Sequence, residues 1–227
     1  MGKASPHCAE CDLKKEEKIC LSPNGKSFPG CPTLKKEIVE DSKKEYEKPD
    51  ILKFAQKASI QEAECYANRE RRPYVMHPYK TRIEEIYEFA KKMGYRKLGL
   101  VFCIGLKREA EIANMVFKTQ GFDVISVICK AGRIAKEELG LKDEEKIFIG
   151  EFESACNPIL QAFIVNREKT DFNVLLGLCV GHDSLFFKYA EAPTTVLAVK
   201  DRVTGHNPLA ALYTCETYYA RLLKTDS

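Results

Sequence analysis

The chain lacks most of the features that would assign it a role at sight. No run approaches the roughly 18 apolar residues of a membrane span, and the opening Met1-Gly-Lys-Ala-Ser-Pro6 has no apolar signal core. Net charge is also small: 36 basic residues face 33 acidic ones, a balance of +3. The two signs are interleaved, as in Lys14-Lys-Glu-Glu-Lys18. Nucleic acid and anionic membrane surfaces need a concentrated basic patch, so neither is an expected partner. Gly-x-Gly-x-x-Gly is missing after the first apolar run, where Cys103-Ile-Gly-Leu-Lys107 stands instead. There is no Walker lysine motif either, and nucleotide binding is not supported. Tryptophan is absent, which excludes nothing.

Cysteine is what the chain has in quantity: ten in 227 residues. With no secretory signal the expected location is the cytoplasm. In that reducing compartment clustered cysteines ligate metal or do chemistry more often than they form disulfides. With 44% hydrophobic and 30% charged residues, the chain has ordinary globular composition.

Three segments are expected. Residues 1–32 form a cysteine-rich metal-binding knuckle, residues 33–94 a helical segment packing on the main domain, and residues 95–227 an α/β domain. In the first, Ser22-Pro-Asn-Gly25 and Phe28-Pro-Gly30 are turn chemistry without helical or strand periodicity. In the second, Thr33 is expected to cap a polar helix that Pro49 ends, Asp50 to open another, and Thr81 to Met93 to form a third that Gly94 stops. Beyond Gly94 the period changes. Leu98–Phe102, Val124–Ile128, Val174–Leu178 and Thr194–Val199 read as strands, with helices over Arg108–Gln120 and Pro158–Arg167. Ile159, Leu160, Phe163 and Ile164 are expected on the inward face of the latter helix. Lys146-Ile-Phe-Ile149 is expected as a short extra strand, and a last helix runs from Asn207 and Pro208 to about Leu223. Alternating strands and helices give an open, mostly parallel Rossmann-like sheet with helices on both faces.

Two cysteine sets stand out. Cys8, Cys11, Cys20 and Cys31 follow the pattern Cys-x2-Cys-x8-Cys-x10-Cys-Pro. A Cys-x2-Cys turn aims two thiolates at one ion, and the distant pair completes four ligands. Zinc and iron–sulfur both suit the spacing, and His7 could replace one thiol. The alternative, incidental cysteines in a loop-rich tail, leaves free thiols with nothing to pack against. Cys103, Cys129 and Cys179 each end an apolar run and are followed within three residues by glycine, while Cys156 precedes Asn157-Pro158 at a helix start. Parallel strands bring their carboxyl ends to one edge, where open α/β sheets bind ligands. The expected site there is a shared metal centre with an iron–sulfur cluster favoured. Metal-free thiol catalysis and simple buried cysteines are the alternatives. His182, Lys200, Arg202 and His206 are the candidate reacting or substrate-holding groups. His182 would be a proton donor or a fourth ligand, or else a satisfied histidine at a helix cap; His206 would lie close by as a supporting or reacting group; Lys200 and Arg202 would hold a small anionic substrate, or else are loop charges.

Cys8-x2-Cys11, Cys31-Pro, Cys156-Asn-Pro, Leu178-Cys-Val-Gly-His-Asp-Ser-Leu-Phe186 and Val199-Lys-Asp-Arg202 through Gly205-His-Asn-Pro208 resemble a prokaryotic family, domain of unknown function eighteen forty-seven. The resemblance spans nearly the whole chain and implies metal binding, without implying an activity. Redox or electron-transfer chemistry with a partner protein or a small anion is the leading functional expectation. A metal or sulfur sensor or carrier, and a zinc-stabilised interaction protein, are the other two.

Overall fold

The computed structural model describes residues 5–225, so the reading of Met1 to Ala4 lies outside it. The chain divides into two compact units, Met1–Ser59 and Ile60–Ser227. In the first, short 3-10 turns occupy Cys8–Glu10, Lys15–Glu17 and Pro32–Leu34, and Lys18 bridges to Lys26. Helix α1 is Lys36–Glu45 and starts later than the Thr33 cap predicts. Pro32 favours a 3-10 turn there, and Lys35 takes the cap position without a side-chain bond. No residue of α1 is buried, and pairs such as Lys43–Glu40 and Lys44–Asp41 line it. Pro49 does not merely end that helix but opens the next, α2 (Pro49–Glu64), as its missing N–H permits at a first turn.

The second unit carries the sheet. Helix α3 (Arg82–Met93) begins at a capping box, with Thr81 N and Oγ1 both donating to Glu84 Oε2, and ends at left-handed Gly94. Then come β1 (Lys97–Phe102), α4 (Lys107–Thr119), β2 (Asp123–Ile128), α5 (Pro158–Arg167), β3 (Phe172–Leu176), α6 (His182–Tyr189), β4 (Thr194–Ala198) and α7 (Leu209–Tyr213). The sheet is wholly parallel, in the order β2-β1-β3-β4. Phe102 pairs with Ile128 on one side and Leu176 on the other, and Leu176 with Ala198, so four carboxyl ends lie level at one edge. The order reverses between β1 and β3. That is the topological switch point, where loops part and leave a crevice.

Burial explains the runs. β3 is buried throughout and β1 nearly so, as strands covered on both faces must be, whereas edge strand β2 is buried only at Val124 and Val127. Leu98, Leu100, Val101, Val174 and Leu175 meet Phe117 of α4, Val165 of α5 and Phe186 of α6 in the core.

Three sequence expectations are corrected here. The inward stripe of α5 is Pro158, Gln161, Ala162 and Val165, while Phe163 is 54% exposed. An apolar helix has no polar face to fix its rotation, and small Ala162 allows the closest approach. Lys146 to Ile149 is not a strand. The Ile147 and Phe148 N–H groups go to the Glu153 carboxylate, and buried Lys146 is held by Glu137, Asp143 and the Glu151 carbonyl. The last helix stops at Tyr213, because Thr214 and Thr217 are poor helix formers whose hydroxyls bond back to Ala210 and Thr214 carbonyls. Among the described residues no helix is long and apolar enough to cross a membrane.

Candidate functional site

Cys103 and Cys129 directly follow β1 and β2, and the register that pairs Phe102 with Ile128 sets them side by side. The Cys129 N–H donates to the Phe102 carbonyl at 2.9 Å, and the Asn157 N–H to the Cys129 carbonyl at 2.7 Å, which ties the start of α5 to the same edge. Asn157 caps that helix by accepting the Leu160 N–H at 2.9 Å. Cys156 is thereby held next to Cys129. Gly181 carries a positive φ of 84°, which turns the chain into α6 and leaves His182 at its first residue, beside Cys156.

Three thiols and an imidazole thus stand in a row: Cys103, Cys129, Cys156, His182. The middle thiol keeps its proton, pushed far up by the sulfurs on either side, and its single S–H can be given to one of them at a time. Cys103 is held down to about 5, first by Cys129, then by the Gly105 N–H and the Lys200 ammonium, against the penalty of its burial. Cys156 falls to about 4 through Cys129 and then His182, with Lys130 adding charge. His182 is raised in turn by Cys156, against the penalty of its burial and the charge of Lys130. Cys129 Sγ also receives the Ile104 N–H at 3.3 Å.

The cations arrive from two strand ends. Lys200, beyond β4, reaches across to the loop after β1. A Cβ on Gly105 would stand 2.7 Å from its Nζ, so only glycine leaves room for this approach. Lys130 follows Cys129 and donates to the Ser154 carbonyl. Arg202 Nη2 donates to Cys179 Sγ at 3.0 Å. Cys179 therefore pairs with Arg202 while the other three strand-end thiols pair among themselves. It also sits further from its strand than expected, because β3 ends at Leu176 and Gly177 turns with φ +71°. His206 belongs to its own loop, where Nδ1 accepts the Asp201 N–H at 3.1 Å.

Two residues escaped sequence reasoning. Lys130 was legible only as the neighbour of Cys129. Gln161, fully buried, spans the edge by donating to the carbonyls of Phe102 and Val127 at 3.3 and 2.8 Å. Its signal was one amide inside the apolar stretch Pro158-Ile-Leu-Gln-Ala-Phe163.

Among the described residues no group of three or more His, Cys, Asp or Glu side chains is placed to hold a metal ion. The donor chemistry at the sheet edge nevertheless suits a soft cation: three sulfurs, and His182 Nδ1, which is buried with no hydrogen-bond partner. In the first unit Cys8, Cys11, Cys20 and Cys31 all line one cavity of about 120 Å³, with Ile19, Phe28 and Pro32 among its walls.

Residues 31–197 match the family described as protein of unknown function DUF1847, and the chain belongs to that family. It is 42% identical over 216 residues to a protein named uncharacterized protein MJ0455 from Methanocaldococcus jannaschii, covering 95% of this chain and 97% of that relative. The matched segment contains the four strand-end cysteines and His182, and leaves Cys8, Cys11 and Cys20 outside.

Proposed function

We propose that this protein is a cytoplasmic redox protein whose sheet-edge thiols hold an iron–sulfur cluster, or another soft cation, for chemistry on a small anion or electron exchange with a partner protein. One observation carries the reading. Three adjacent thiols and a buried, unpartnered imidazole nitrogen meet at the carboxyl edge of a parallel sheet, where such folds bind ligands. Cys103, Cys129 and Cys156 would be the ligands, with His182 or Cys179 beside them. When bound, the cluster would supply one-electron exchange.

The chain's own residues do the rest. Lys130 and Lys200 balance the charge of Cys156 and Cys103, and with Arg202 they make the rim attractive to anions. His182 stands next to Cys156, which raises its hold on a proton, and would exchange that proton with a substrate arriving there. Gln161 keeps the ends of β1 and β2 in register. Cys8, Cys11, Cys20 and Cys31 would hold a structural zinc or iron–sulfur centre. The common cavity supports this, as does the lack of any other core in so short a segment.

The test is elemental analysis and a visible spectrum of anaerobically purified protein, compared with Cys129→Ala and Cys11→Ser. Iron and acid-labile sulfide in equal amounts, lost in the first variant and kept in the second, is the expected result. A metal content indifferent to Cys129 would overturn the sheet-edge assignment. Zinc alone would favour the interaction protein, a reading supported by exposed Ile147, Phe148, Ile149 and Phe152 on one loop.

A further inference from the structure

We propose that two copies of this chain pair through the carboxyl edges of their sheets, each laying its loop of residues 136–153 on the other's loop after β4. The pairing does not depend on a metal at that edge. The loop of residues 136–153 holds apolar side chains away from its own fold. Its feet are tied by the bridge between Ala135 and Ser154. Its polar groups turn inward. The Glu153 carboxylate accepts the Ile147 and Phe148 N–H groups, Asp143 accepts that of Gly150, and Lys146 is buried against Glu137, Asp143 and the Glu151 carbonyl. Outward stand Ile147, Phe148 and Ile149, which are 70%, 58% and 65% exposed. Three consecutive large apolar side chains held in water by a fixed loop mark a contact surface. Around them Glu138, Glu144, Glu145 and Glu151 are exposed and have no ion-pair partner among the described residues, and Lys142 is the one exposed cation of the loop.

The complementary surface is on the same chain. After β4, Val203 is 75% exposed beside Arg202, and the 3.0 Å contact of Arg202 with Cys179 brings the neighbouring Val180, 93% exposed, to the same place. Lys200 and Arg202 have no carboxylate partner among the described residues. The acid between them, Asp201, is taken up by the Val203 and Thr204 N–H groups. An acidic apolar loop thus has a basic apolar counterpart. The two do not cover each other within one copy: both are exposed, and they leave the outer strands β2 and β4, about 14 Å apart across β1 and β3. Their strand ends are level, so a two-fold axis through the edge sets the β2 end of each copy over the β4 end of the other. Both contacts then form at once and the assembly closes at two. An unrelated partner would need only one of these surfaces; the presence of both on one edge selects a second copy.

Analytical ultracentrifugation of the full-length protein is the test. Wild type at micromolar concentration should sediment with twice the mass of the chain, and the dimer should loosen as salt rises. Ile149→Lys sets a cation of the loop against the other copy's cations, and Val203→Glu sets an acid against the other copy's acidic loop. Each variant alone should sediment as a single chain. Mixed in equal amounts they should return to the dimer mass, because one contact is then native and the other joins the two opposite substitutions. Both positions are exposed, so the far-ultraviolet circular dichroism should not change. Phe148→Lys and Arg202→Glu repeat the pair should either variant misfold. A wild-type protein that stays a single chain at its highest soluble concentration, a dimer indifferent to salt or to Val203→Glu, a mass that keeps growing with concentration, or a mixture that stays monomeric would overturn the proposal. None of these outcomes depends on metal content, so the reading of the thiol site stands or falls separately.

Discussion

Cys156 should alkylate at a rate nearly independent of pH from about 5.5 upward, because its thiol is held down to about 4 against an ordinary value of 9.0. At pH 6 an ordinary thiol is about 0.1% thiolate, whereas Cys156 is almost wholly ionised, a ratio of about 10³. A weakly basic thiolate is a poorer nucleophile, with a Brønsted coefficient of about 0.4–0.5, which returns a factor of about 10² to 10²·⁵. The net advantage at pH 6 is thus only about three- to ten-fold, and partial burial lowers it evenly at every pH. The shape of the profile is therefore the diagnostic quantity. Iodoacetamide pulses on metal-free protein from pH 4 to 9, with the 147–167 peptide quantified by mass spectrometry, give that shape. The same peptide in denatured protein should gain ten-fold per pH unit until its thiol ionises. Cys129→Ala should shift the foot of the profile upward most and His182→Ala less, following the order of their influence on Cys156. A wild-type rate that climbs ten-fold per unit between pH 6 and 8 would refute the reasoning.

Other perturbations test the scaffold around the thiols. Gly177→Ala places a Cβ 2.2 Å from Leu106 Cδ1 at a backbone φ of +71°. It should cost about 2–4 kcal/mol in urea unfolding, from left-handed strain and overpacking together; an unchanged midpoint would show that this turn is loosely packed. Phe117→Ala removes a fully buried ring of α4 and should cost about 3–5 kcal/mol, read from the same titration, and a loss below about 1 kcal/mol would contradict the packing described. Cys11→Ser should remove one equivalent of metal and open the segment around Cys8 to Cys31 to proteolysis while the sheet unit stays resistant; unchanged protection of that segment would end the structural-site reading.

The legible parts of this fold are those where local and tertiary preferences agree. Thr81, Glu84 and Gly94 specify both ends of α3 before any packing is considered, and the structure uses all three. β1 and β3 announced themselves as short uninterrupted apolar runs because both of their faces are covered. The failures have the opposite cause. α5 is apolar all round, so its rotation is decided by what it meets, with Gln161 turned inward to two strand carbonyls. Ile147-Phe148-Ile149 has strand composition, but Glu153 takes the N–H groups that a ladder would have used. At the edge, Cys103 and Cys129 could be placed from sequence because a parallel register sets consecutive strand ends level. Cys179 could not, since Gly177 ends β3 early and the contact with Arg202 depends on the path of a loop. Lys130 was hidden for a simpler reason: a lysine after a cysteine carries no signal until the chain folds it against Cys156.

Metal uptake at this edge is tied to the protons that its side chains carry. A metal or cluster taking Cys129 and His182 as ligands must displace the proton of the central thiol and the raised proton of the imidazole. Its uptake therefore strengthens as pH rises. The cations beside Cys156 and Cys103, Lys130 and Lys200, compensate the two thiolates before any metal arrives. Without them the flanking sulfurs would hold their protons more firmly.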